Sequence, residues 1–150
     1  MLFLLFELGQ ARYALDVEKV VEVLPFVLVK KIPHGPAEVA GVFSYRGLPV
    51  PAIDLSRLTL GQPAERRFST RIILVHYPGA RGEQHLLGLI AERVTETTRR
   101  DPADFVTSGI TNERAPYLGP VATSPRGLVQ WINVGRLLPA STQKLLFKDA

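Results

Sequence analysis

Cysteine is absent from this 150-residue chain, which excludes disulfides, thiolate zinc sites and a cysteine nucleophile and fits a cytoplasmic home. Long hydrophobic runs are missing as well. No stretch approaches the ~20 apolar residues that span a bilayer. The apolar start "MLFLLFELGQ" has no basic leading segment and no small-residue cleavage site, so it reads as a strand rather than a signal peptide. No direct membrane insertion is expected. The three histidines, His34, His76 and His85, form no i, i+3 or i, i+4 pair for a metal; His34 and His85 read as loop residues and His76 as a strand residue. There is no Gly-x-Ser-x-Gly elbow, and "GARG" at residues 79–82 lacks the Lys-Ser/Thr that would make it a phosphate loop. No catalytic residue, cofactor or metal is expected, and the chain reads as a non-enzyme.

What the chain does have is 46% hydrophobic residues, enough for a real core, with 12 glycines and 12 prolines spread between apolar runs. That spacing favours many short elements joined by turns, hence a mainly β protein. Net charge is +4, which raises the possibility of an anionic partner. The basic residues nevertheless come in scattered pairs, Lys30-Lys31, Arg66-Arg67 and Arg99-Arg100, with no dense basic segment interleaved with aromatics. A nucleic-acid partner is therefore disfavoured. Glu18 by Lys19, Glu92 by Arg93 and Glu65 by Arg66 read as solvated faces.

The sequence repeats itself. "LDVEKVVEV" from Leu15 aligns with "LIAERVTET" from Leu89, so that Glu18/Glu92, Val20/Val94 and Glu22/Glu96 are each 74 residues apart. Downstream, Arg46-Gly47-Leu48 aligns with Arg126-Gly127-Leu128 at an offset of 80, and "IDLSRL" with "INVGRL" at 79. Each half reads strand, hairpin, strand, a helical turn, another strand, an Arg-Gly hairpin, and a short helix capped by Asp54 or Asn133. Five or so short strands per half suit a small closed or nearly closed barrel. The expectation is one domain over residues 1–150 with subdomains 1–66 and 67–150, joined near residues 60–69, in which N-terminal strands can exchange. The tail after Pro139 reads as a short helix or partly disordered.

The stretch "GVFSYRGLPVPAIDL" carries the most specific pattern, Gly-Val-x-x-x-Arg-Gly-x-x-x-Pro-x-x-Asp-Leu over residues 41–55. Together with "FLLFELGQARYALDVEKVVEVLP" and "YLGPVATSPRGLVQWINVGRLLP", it resembles the CheW-like coupling proteins of bacterial chemosensory systems over residues 3–139. The resemblance implies two small SH3-like five-stranded β-barrels packed together, with short helices. It also implies a cytoplasmic adaptor, recruited to membrane receptor arrays, that joins the helical-hairpin signalling tips of chemoreceptors to the regulatory domain of a CheA-like histidine kinase and has weak self-association. Interface residues implied are Arg46, Gly47 and Tyr45, the segment Val20, Glu22 and Val23, and Leu86, Leu87 and Leu89 near the junction of the barrels. From the residues alone, Arg46 is equally a turn residue, Val20 and Val23 core or edge, and the leucines plain core. One departure stands out: the family's usual Asn-Leu before Arg-Gly is Ser44-Tyr45 here, which suits another output such as surface sensing or second-messenger control. The alternative is a paired-barrel basic nucleic-acid-binding module. A third reading, a regulatory domain cut from a larger kinase, is disfavoured because the first strand starts at Met1 and the chain looks complete.

Overall fold

The computed structural model describes residues 1–110 and 112–147; the last three residues of the tail lie outside it. Among the described residues are nine strands and two short α-helices: β1 (Leu2–Leu8), β2 (Ala11–Asp16), β3 (Val20–Pro25), β4 (Val39–Tyr45), β5 (Leu48–Asp54), α1 (Leu55–Leu60), β6 (Arg71–Pro78), β7 (Gln84–Arg99), β8 (Leu118–Ser124), β9 (Gly127–Ile132) and α2 (Ala140–Leu146). Alternating apolar residues drive the strands to bury one face. Both anticipated caps form: the Asp54 carboxylate accepts from the Arg57 N–H at 3.1 Å, and the Asn133 side chain accepts from the Gly135 N–H at 3.1 Å above a 3₁₀ turn.

Strand pairing interleaves the two halves. One five-stranded sheet runs β3-β6-β7-β5-β4 and the other β7-β1-β2-β9-β8, with the 16-residue β7 common to both. Its first part pairs with β6 and β5, its second with β1. Each sheet thus takes its first hairpin from one half of the sequence and its remaining strands from the other. A cut near residue 66 would separate β1 and β2 from β8 and β9, and β3 from β6. A helical turn occurs in each half, as the 3₁₀ turns Val17–Lys19 and Pro102–Asp104, but not at aligned positions: where the second half aligns with Val17–Lys19, Arg93 at φ 47° and a register shift between Leu5 and Glu7 bend β7 without interrupting it.

Of the two forms anticipated, closed or nearly closed, the ladders take the second and are not fully closed. Each sheet curls round and its last strand meets the segment after its first only at one isolated bridge, Lys30 to Val42 and Val106 to Val121. Gly41 is required at the first of these, because a Cβ there would fall 2.0 Å from the Lys30 carbonyl oxygen.

Three apolar clusters result. Phe43, Val50, Ala52, Ile72, Leu74 and Ile90 fill the β4 barrel, and Phe3, Leu5, Ala14, Phe105, Ala122 and Val129 the β8 barrel. The largest cluster lies between them and draws on both, from Leu4, Phe6 and Leu15 to Ile73, Leu89, Tyr117 and Phe147. Burying each such Leu or Phe contributes about 1.5–3 kcal/mol, so the junction is as much a core as either barrel.

Candidate functional site

Arg46 and Gly47 are the two loop residues of the β4–β5 hairpin, with φ of 49° and 82°. Positive φ at both central positions is a type I′ turn, whose twist matches the flanking strands. Glycine adopts it freely; arginine does so at a steric cost of about 1–2 kcal/mol. The arginine side chain is 75% exposed, and one partner fixes it: Nη2 lies 3.4 Å from Oε1 of Glu22 on β3. The same oxygen accepts the Tyr45 hydroxyl at 2.9 Å, while the Arg46 guanidinium carbon stands 5.2 Å from the Tyr45 ring centre. Donating to the Glu22 carboxylate pushes the Tyr45 phenol above its ordinary pKa; slight burial adds to this and Arg46 opposes it.

Glu22 and Tyr45 belong to the two edge strands of the β4 barrel, β3 and β4, which do not pair with each other. Their side chains close the open seam that the backbone leaves. Along β3, Val20 and Leu24 pack against the core clusters, whereas the Glu22 side chain is 41% exposed and Val21 and Val23 are 39% and 40% exposed. Leu48, which follows Gly47, is 55% exposed. The hairpin, Glu22 and Val23 of the anticipated residues therefore share the outside of one barrel, while Val20 packs against the shared core. Val21 and Leu48 escaped the sequence reading, although the period-two alternation of "VVEV" places Val21 on the face of Val23.

The leucines lie elsewhere. Leu87 and Leu89 are fully buried in the shared core, and Leu86 is half-buried among the β4-barrel residues. Glu92 is buried rather than solvated: its carboxylate accepts from the Gly9 N–H at 2.9 Å and the Glu65 N–H at 2.7 Å. Glu65 pairs with Arg67, not Arg66, whose guanidinium instead covers Phe26. His85 is on β7 rather than in a loop, stacked 4.3 Å from Phe147. Among the described residues, no three acidic or histidine side chains gather as a metal site, and no helix is long and apolar enough to cross a membrane.

The Arg-Gly hairpin is not duplicated in space. Phe43 pairs with Val50 and Ala122 with Val129, and Tyr45 with Leu48 and Ser124 with Gly127, a constant offset of 79. Arg46 therefore corresponds to Pro125, and Arg126 to Gly47. Proline cannot reach positive φ, so a left-handed arginine in this hairpin turn belongs to one barrel alone.

A family model, the CheW-like domain, matches residues 2–142. The chain belongs to the CheW-like family. It is 28% identical over 145 residues to Protein FrzA of Myxococcus xanthus, covering 95% of this chain and 88% of that one. To the chemotaxis protein CheW of Helicobacter pylori it is 31% identical over 104 residues, 69% of this chain and 59% of the other. The fold matches the crystal structure of the scaffolding protein TtCheW from Thermoanaerobacter tengcongensis with a TM-score of 0.81 and 25% identity, over 93% of this chain and 88% of that one. In this CheW-like chain Tyr45 has a visible role. A leucine before Arg-Gly could not donate to Glu22, so Tyr45 adds the shorter of the two links across the seam.

Proposed function

We propose that this CheW-like scaffold couples the cytoplasmic signalling tips of chemoreceptor-type proteins to the regulatory domain of a CheA-like histidine kinase, working by binding rather than by catalysis. The observation that carries this reading is the exposed Arg46, held in a left-handed turn by one barrel and absent from the equivalent turn of the other. A largely exposed residue kept in a costly conformation, with only one long ion pair and one aromatic contact to hold it, points to function. Its remaining guanidinium donors face solvent and suit carboxylates or carbonyls of a partner.

Glu22 and Tyr45 position that guanidinium, and Val21, Val23 and Leu48 supply apolar contact beside it. Leu87 and Leu89, being buried, act through the shape of the junction, and Leu86 through the wall of the β4 barrel. Two modest interfaces held on one rigid body gain strength through effective concentration in an array. Weak self-association would add a further contact of the same kind, and recruitment to membrane receptors would follow from binding them.

The experiment is calorimetric titration of the chain, and of Arg46→Gly, with a receptor signalling-tip fragment and the kinase regulatory domain of its own organism, at two salt concentrations. The wild type saturates with both. Arg46→Gly melts within a few degrees of the wild type or above it, since glycine relieves the turn, but binds the receptor tip at least about tenfold more weakly. Absence of binding to either partner, together with steeply salt-dependent binding to single-stranded nucleic acid, would replace the scaffold by a basic nucleic-acid-binding module.

A further inference from the structure

The two barrels are built on one pattern, and their registers pair each residue of one with a residue of the other. Leu74 opposite Gly88 corresponds to Leu5 opposite Ala14, His76 opposite Leu86 to Glu7 opposite Arg12, and Leu24 opposite Ile72 to Thr98 opposite Phe3. In the β4 barrel, Leu24, Tyr45 and Leu86 close over Phe43 and Leu74 as one apolar cluster. Their counterparts in the β8 barrel are Thr98, Ser124 and Arg12, with Ala122 in place of Phe43. The plug is missing, and a cavity of about 250 Å³ opens there.

Its floor is apolar, formed by Phe3, Leu5, Phe105 and Val129, and its rim carries Arg12, Arg100 and Arg126 against the single carboxylate of Glu96. The Arg12 side chain is only 15% exposed, yet its partners are distant: Nη1 is 3.3 Å from Ser124 Oγ, and Nη2 is 3.4 Å from Glu96 Oε1. A guanidinium carries five donors, so one held largely out of water with two long contacts has capacity for a closer anion. Arg100 is steadied by a 2.8 Å bond from Nη2 to the Thr123 carbonyl and lies 5.9 Å from the Phe105 ring centre.

We propose that this cavity is a binding site for a small organic carboxylate with an apolar body, the carboxylate at Arg12 and Arg100 and the body on Phe3 and Phe105. The volume lies just below the range of drug-sized pockets, which fits a ligand of one ring or short branched chain. Charge complementarity selects the head, since three arginines exceed one glutamate, and the aromatic floor selects the body. The site is on the barrel that lacks the Arg46 turn and stands independently of the coupling role.

The chain carries its own reporter. Trp131, the only tryptophan, stands edge-on to Phe3 with ring centres 4.9 Å apart and 5.2 Å from Phe105, so a ligand seated on those rings alters its fluorescence. The full chain is titrated with phenylacetate, with neutral phenylacetamide, and with inorganic phosphate. Phenylacetate gives a saturable change, and the other two bind at least about tenfold more weakly. Arg12→Leu, which installs the leucine that the β4 barrel already carries at this position, weakens phenylacetate binding by a similar factor; Arg100→Gln serves as the second variant if circular dichroism finds the first unfolded. The proposal is overturned by no saturable response to phenylacetate, by phosphate binding equally well, which marks a bare charge patch, by phenylacetamide binding equally well, which marks a plain apolar cavity, or by wild-type affinity in the folded variant.

Discussion

Three tyrosine hydroxyls anchor this molecule, each at a different joint. Tyr45 closes the β3–β4 seam. In the shared core, Tyr77 accepts from the Leu138 N–H at 3.1 Å, and Tyr117 lies 3.1 Å from the Thr59 hydroxyl. Tyr13 stacks on Phe6. Burial raises Tyr13, Tyr77 and Tyr117 above the ordinary phenol value of 10.0, because a phenolate in that core would lose its hydration. The sign follows from linkage: with the folded pKa above the unfolded one, these groups lend full stability below pH about 10, which is lost as pH rises toward the folded values. Urea midpoints should therefore hold steady near neutrality and fall above pH about 10, less steeply in Tyr117→Phe. A midpoint unchanged to pH 11, or an unchanged slope in that variant, would contradict the assignment.

At the scale of elements, β7 and the loop that Glu92 fastens decide the architecture. Glu92 sits at the bend where β7 passes from one barrel to the other, and its two oxygens hold the β1–β2 turn and the segment before β6. Glu92→Gln keeps the size but presents an amide donor to one of those N–H groups, leaving it unmatched. A loss of about 1.5–3 kcal/mol is expected, read as a lower urea midpoint with unchanged slope; a loss under about 0.5 kcal/mol would show that the carboxylate is not the fastening. The sequence made the strands, the positions of the hairpins and both caps legible, because each depends on residues within a few positions. The exchange of strands is set by contacts such as Leu5 with Glu96, which no local pattern encodes. Glu92 looked solvated for the same reason: its neighbour Arg93 is adjacent in sequence, while the N–H groups it serves are 83 and 27 residues away. The duplication was plain, but the Arg-Gly match at offset 80 was a coincidence of letters against a ladder register of 79. It concealed that Arg46 stands alone.

For the whole molecule, interleaving turns two small barrels into one rigid body. Neither barrel retains its strands without the other half of the chain, and the largest apolar cluster is the one between them. Such a body can hold two partners at a fixed relative geometry, which a scaffold needs and a flexible linker would lose. The β4 barrel presents the exposed Arg46 hairpin, while the β8 barrel carries a different turn and a cavity with a basic rim, so the two ends offer different chemistry. The most direct test is sedimentation velocity on the chain mixed with the receptor signalling-tip fragment and the kinase regulatory domain together. A single boundary containing all three, heavier than either binary complex, is the predicted result; two binary complexes that displace one another, with no ternary species, would contradict the coupling role.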